Sequence, residues 1–157
     1  MRRSGMFLIL GLLTLAAPAR GQEGLGLGII VGEPTGLSLK TWLTKSTAFD
    51  LAAAWSFAGE GSFHVHGDYL IHNYNVFRVE KGSLPLYYGV GARVRAHDHG
   101  PDQNDDVDVG IRIPVGLTYL FQNDPFDLFL EVVPILDVAP ETDVTLNASI
   151  GARYYFR

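Results

Sequence analysis

The stretch Val107-Asp108-Val109-Gly110-Ile111-Arg112-Ile113-Pro114-Val115-Gly116-Leu117-Thr118-Tyr119-Leu120-Phe121 carries an apolar residue at every odd position. Successive side chains of a strand point to opposite sides, so Val107, Val109, Ile111, Ile113, Val115, Leu117, Tyr119 and Phe121 share one face. Asp108, Gly110, Arg112, Gly116 and Thr118 share the other. A helix would scatter this set around its circumference, so only an extended strand accounts for it.

The same two-residue period recurs on both sides of this run. Upstream, Leu25–Val31 and Leu37–Leu43 flank Gly32-Glu33-Pro34-Thr35-Gly36, a turn in which proline presets φ and the glycines tolerate left-handed geometry. Phe49, Leu51, Ala53, Trp55 and Phe57 alternate with Asp50, Ala52, Ala54 and Ser56 up to the Gly59-Glu60-Gly61 break. Phe63, Val65, Tyr69 and Ile71 interleave with His64, His66, Asp68 and His72, followed by a polar connection from Arg78 to Ser83. Leu86, Tyr88, Val90, Ala92 and Val94 alternate with Gly89, Gly91, Arg93 and Arg95. Downstream, Gln122-Asn123-Asp124-Pro125 turns into Phe126–Val138, whose second face is mixed, with Asp127 and Glu131 beside Phe129, Val133 and Ile135. The last run sets Ala148, Ile150, Ala152, Tyr154 and Phe156 against Asn147, Ser149, Gly151, Arg153 and Tyr155.

No apolar stripe of helical period runs for three turns, and the chain reads as all-β with eight strands. Most of the runs approach the ~9–11 residues that a tilted membrane-crossing strand needs, and an even number closes without leaving an edge. Pro114 and Pro134 fall inside strands, where each removes a ladder donor, so bulges or breaks are expected at both.

At 157 residues the chain has room for one domain after its first segment. That segment, MRRSGMFLILGLLTLAAPARGQ, has two arginines, an apolar run from Met6 to Ala17 and the small-residue pattern Ala17-Pro18-Ala19. It reads as a secretory signal peptide over residues 1–19, with residue 21 the alternative cleavage point, and leaves 20–157 as the barrel domain. The apolar run is too short for a membrane-spanning helix. The absence of cysteine excludes a lipoprotein anchor, disulfides and thiolate metal sites. The charge is −5 and grows more negative when Arg2 and Arg3 leave with the signal, which argues against nucleic acid as a partner.

Alternation is equally compatible with a soluble barrel that is apolar inside and a membrane barrel that is apolar outside. The composition of the polar faces separates them. They are rich in glycine and carry both signs of charge, with Lys40, Asp50, Asp68, Arg93, Arg95, Arg112, Glu131 and Arg153 at inward positions. Small residues and paired ions suit a narrow lumen, whereas a soluble surface carries long Lys and Glu side chains. Aromatics near the strand ends, Trp55, Phe57, Phe63, Tyr119, Phe121, Phe126, Tyr154 and Phe156, match the girdles at two membrane interfaces. The expectation is an eight-stranded antiparallel up-and-down transmembrane β-barrel.

The segment Gly26-Leu27-Gly28-Ile29-Ile30-Val31-Gly32-Glu33-Pro34-Thr35-Gly36-Leu37-Ser38-Leu39-Lys40, with the ending Gly151-Ala152-Arg153-Tyr154-Tyr155-Phe156, resembles a family of small uncharacterised bacterial outer-membrane β-barrel proteins, similar in architecture to OmpA/OmpX-type barrels. The resemblance covers the whole mature chain. It implies the fold and a Gram-negative outer-membrane location, with membrane lipid and the barrel-assembly machinery as partners. It implies little about activity.

His64-x-His66-x-Asp68 places three potential metal ligands on one strand face, about 7 Å apart by the strand rise. The favoured reading is a lumen network, in which these side chains pair with Arg93, Arg95 or Arg112. The acidic run from His97 to Asp106, with Asp108 after it, has oxygen ligands for a divalent ion but neither the spacing nor the closing Glu of an EF-hand. It reads as a solvated external loop. A lipid A deacylase or palmitoyltransferase would need a serine and a histidine at the lipid face, and no histidine follows His99, which leaves Ser149 without a base. The expected function is therefore structural or surface-interacting, without catalysis, cofactor, bound metal or open pore. External loops are expected near 32–36, 58–62, 97–106 and 137–143. A periplasmic lipocalin-like binder is the alternative, and a lipid A-modifying enzyme a more distant one.

Overall fold

The computed structural model describes residues 24–58, 61–97 and 107–156. The signal segment, most of the 97–106 loop and Arg157 lie outside the described residues. Nine strand segments follow in chain order: β1 (Leu25–Glu33), β2 (Thr35–Trp42), β3 (Thr47–Ser56), β4 (Ser62–Asn73), β5 (Leu86–His97), β6 (Val107–Arg112), β7 (Val115–Leu120), β8 (Phe126–Ala139) and β9 (Asp143–Phe156). Every pairing is antiparallel. Neighbours in sequence pair with one another except β6 and β7, which both lie between β5 and β8, and β1 pairs with β9 from Leu25↔Phe156 to Glu33↔Ala148. The sheet is thereby closed on itself, and β6 and β7 are two halves of one barrel strand. The architecture is an eight-stranded up-and-down barrel.

The break in the sixth strand has a simple cause. The register across it is continuous, because Arg112 and Val115 face Ile135 and Val132 on β8 and Gly91 and Tyr88 on β5. Gly89 N–H donates to the Pro114 carbonyl and Ile113 N–H to the Pro134 carbonyl, both at 3.0 Å, but neither proline returns a bond. Pro114 withholds its donor from β5 and Pro134 withholds its donor from Ile113, so both missing bonds fall on the sixth strand. The break expected at Pro134 is absent from β8 itself, which runs unbroken and pairs Pro134 with Leu146 on β9. A single bulge shifts the β6–β8 register between Val109 and Gly110.

Two loop boundaries differ from the sequence expectation. Pro34 alone separates β1 from β2, with Thr35 Oγ1 bridging the Gly32 backbone, so the ladder absorbs most of the 32–36 turn. The 137–143 loop shrinks to 140–142, because Asp137 pairs with Asp143 at the head of the β8–β9 ladder.

The barrel is inside-out relative to a soluble protein. Leu25, Leu27, Ile29 and Val31 on β1, Val107, Val109 and Ile111 on β6, and Leu128, Leu130 and Val132 on β8 are all exposed, while charged side chains are buried. The soluble alternative required an apolar interior and is overturned by this facing. The outward aromatics form ring contacts at both ends of the wall, Trp55 with Phe63 at one and Tyr119 with Phe121, and Phe126 with Tyr154, at the other.

Candidate functional site

Among the described residues, the buried charged and polar side chains gather in the lumen. Its volume comes from cross-strand pairs in which glycine faces a large side chain: Gly26 with Tyr155, Gly151 with Phe129, Gly116 with Tyr87, Gly91 with Asp68 and Gly110 with Asp137. A Cβ added at any of these glycines would collide with the residue opposite. The glycine-rich polar faces are thus the complement of the large groups that fill the barrel.

The buried arginines define three layers. Towards the loop end, Arg93 Nε and Nη2 donate to both carboxylate oxygens of Asp137 at 3.1 and 2.5 Å, and Arg95 donates to Asp108 at 2.9 and 2.6 Å. In the middle, Arg112 Nε binds Asp68 at 2.9 and 3.1 Å and its Nη2 reaches Glu131 at 3.5 Å. Tyr87 Oη donates to the same Glu131 at 2.8 Å. Near the chain termini, Arg153 lies 3.4 Å from Asp50 and 3.5 Å from Asp127, donates to Ser38 Oγ at 2.9 Å and stacks 3.9 Å from the Phe129 ring centre. Tyr155 Oη donates to Asp127 at 2.6 Å. Each guanidinium is held as a planar donor against a carboxylate, which such confinement demands.

Lys40 stands apart from these pairs. Its Nζ hydrogen-bonds His72 Nε2 at 2.9 Å and sits over the rings of Trp42 at 4.5 Å and Tyr87 at 5.6 Å. Among the described residues no carboxylate lies within ion-pair distance of it, although Asp50 is its cross-strand neighbour.

Of the residues read as inward from the sequence, Lys40, Asp50, Asp68, Arg93, Arg112, Glu131 and Arg153 are buried inside, and Arg95 is half-buried at the loop end. Sequence reading left Asp127, Asp137, Tyr87 and Tyr155 out of the network. Parity was the available signal for both tyrosines, since each alternates with outward neighbours. His64 and His66 face Arg95 and Arg93 across the β4–β5 ladder, and their rings lie 6.3 Å apart, edge to face. Asp68 is engaged by Arg112, so the His64-x-His66-x-Asp68 trio does not converge. Among the described residues no group of three His, Asp or Glu side chains is disposed to hold a metal ion.

At the loop end the lumen widens into a cavity of about 850 Å³ bordered by His64, Arg93, Arg95, Asp108 and Asn147. His97 Nδ1 lies 3.6 Å from Asp108 at its rim. His64, His66 and His72 all point into the lumen, as does Ser149.

A closed antiparallel barrel with an apolar outer wall and an ion-paired interior is the architecture of the small transmembrane β-barrels. Solved structures with this fold include the N-terminal β-barrel domain of Pseudomonas aeruginosa OprF, with a TM-score of 0.69 and 16% identity over 87% of this chain and 100% of that one. Neisserial surface protein A aligns with a TM-score of 0.51 and 12% identity over 84% and 93% of the two chains. The outer membrane enzyme PagL aligns with a TM-score of 0.53 and 13% identity over 83% and 99%. No protein-family model matches the chain, and no curated protein matches it in sequence.

Proposed function

We propose that this chain is a secreted outer-membrane protein with a structural or surface-interaction role, without catalytic activity and without an open pore. The observation that carries the reading is the pairing of an exposed apolar wall with a lumen crossed by three arginine–carboxylate layers. Lipid is the solvent that suits such a wall, and the pairing of β1 with β9 leaves the sheet no free edge facing it. The ion pairs occupy the space that a water channel would need. Lumen-facing His64, His66 and His72 lie away from the lipid side, where acyl chains would be presented to a hydrolytic serine, and this supports the non-enzymatic reading. The partners are then membrane lipid, the barrel-assembly machinery during insertion, and whatever meets the loops at 57–61, 98–106 and 140–142.

The test is expression of the full precursor in a Gram-negative host, followed by membrane fractionation and electrophoresis of unheated and boiled samples. Outer-membrane recovery with heat-modifiable migration is expected, with the acyl pattern of the host lipid A unchanged. Recovery in the soluble periplasm would overturn the membrane reading, and an altered acyl pattern would overturn the non-enzymatic one.

A further inference from the structure

The connection between β4 and β5, residues 74–85, is long for the end of the barrel that carries the chain termini, and its apolar residues are not tucked away. Tyr74, Val76, Phe77 and Val79 are 37%, 47%, 44% and 39% exposed, and Arg78 and Lys81 are exposed among them. A surface loop ordinarily shows polar residues to water, so a contiguous apolar group of this kind marks a contact surface.

The path of the segment shows where that surface lies. Tyr74 Oη donates to the Lys45 carbonyl at 3.0 Å, fastening the start of the connection to the neighbouring β2–β3 turn. At its other end Tyr119, an outward residue of β7, donates its hydroxyl to the Lys81 carbonyl at 2.8 Å. Gly82 has φ +72° and lies so close to the Leu120 carbonyl that a side chain there would collide with it and press on the tip of the Tyr119 ring. Ser83 then exchanges both backbone hydrogen bonds with Leu120, at 3.0 and 2.8 Å, which extends the β5–β7 pairing. The far end of the connection is therefore tied to the lipid-facing side of the wall, next to the Tyr119–Phe121 ring pair.

We propose that residues 74–82 form an interfacial strap, with Val76, Phe77 and Val79 seated among the acyl chains at the leaflet boundary and Arg78 and Lys81 on the phosphates of anionic phospholipid. This rests on the membrane reading above and deepens it. Three observations select lipid over a protein partner: continuity with the outward aromatic belt at Tyr119, the Tyr119 hydroxyl that holds the strap at the belt's level, and a net positive charge, since Arg78 and Lys81 outnumber the one acidic residue, Glu80, beside the apolar Val76, Phe77 and Val79. A basic and apolar segment at a bilayer surface gains from both the hydrocarbon and the headgroup charge.

The chain has no cysteine, so single labelling sites can be introduced cleanly. Full-length mature protein carrying Val76→Cys or Val79→Cys is spin-labelled, refolded into vesicles of phosphatidylcholine and phosphatidylglycerol, and its collision rates with oxygen and a water-soluble nickel chelate are compared. Val90→Cys on the outer wall and Asp124→Cys in the exposed turn between β7 and β8 provide the lipid and water references. Oxygen collisions are expected to dominate at 76 and 79, as at 90. Labels at 76 and 79 that behave like the one at 124 would overturn the strap while leaving the barrel in the membrane. Nickel dominance at 90 would overturn the membrane reading and the strap with it. In a Val79→Cys chain that also carries Arg78→Gln and Lys81→Gln, the label is expected to move towards water, and an unchanged depth would overturn the phosphate contacts.

Discussion

Arg112 touches Asp68 and Glu131, and Glu131 also receives the Tyr87 hydroxyl, so one guanidinium organises the middle of the lumen. Both Arg112 and Asp68 are almost wholly buried, and removing one partner leaves an uncompensated charge in a confined space. Arg112→Met is expected to cost about 3–5 kcal/mol, whereas Arg112→Met with Asp68→Leu removes the closest pair, leaves Glu131 held by the Tyr87 hydroxyl alone, and should recover part of that loss. The midpoint of conversion between folded and unfolded bands in urea measures both. A single variant as stable as the double would show that the pair does not matter. The charges of this layer were legible in the sequence, because parity put Asp68, Arg112 and Glu131 on inward faces. Their partnership was legible only as one of three options, Arg93, Arg95 or Arg112, since Arg112 and Asp68 are 44 positions apart and meet through a register in which Asp68, Gly91 and Arg112 are successive cross-strand partners. Asp137 was hidden for a different reason. It adjoins the turn-forming residues around Pro140 and reads as loop until the β8–β9 ladder is seen to continue past it.

At the scale of the strand, alternation sufficed to find every barrel strand. It failed at strand ends and at prolines, where hydrogen bonding and not side-chain identity decides. Pro134 illustrates the point. Its missing donor is felt by the strand opposite, so the break appears at Ile113-Pro114 while β8 remains whole. Glycine spacing carried more information than alternation alone conveys, since inward glycines mark where a large side chain crosses from the next strand. Gly116→Ala would drive a methyl group into the tip of Tyr87 and the Leu130 carbonyl, displacing Tyr87 from Glu131. A loss of about 1–3 kcal/mol is expected from the overpacking. Gly67→Ala offers the contrast. Its added Cβ meets only the far ends of Leu51 and Phe49 on the outer face, so a change within about 0.5 kcal/mol is expected. The two variants compared by the same urea midpoints test whether glycine serves the lumen or merely the strand, and equal losses would favour the strand.

For the whole molecule, the fold turns on the contrast between wall and lumen, and the lumen layers act in series. An ion moving along the axis would meet the Arg93–Asp137, Arg112–Asp68 and Arg153–Asp50 groups in turn, and on the proposed reading without a pore each would stand in its path. Blocking in series makes a specific forecast for conductance across a planar bilayer. The native barrel should show no steady unit steps. Arg93→Ala with Asp137→Ala should widen the existing loop-end cavity and still conduct nothing, because the two deeper layers remain. Steady steps appear only when the paired charges of all three layers are trimmed together in a barrel that still migrates as a folded band. Steady, uniform steps from the native protein would mean that the ion pairs rearrange readily and that the lumen is a pore. Steps appearing after the loop-end pair alone is removed would assign the seal to that layer and make the deeper arginines supports for the fold.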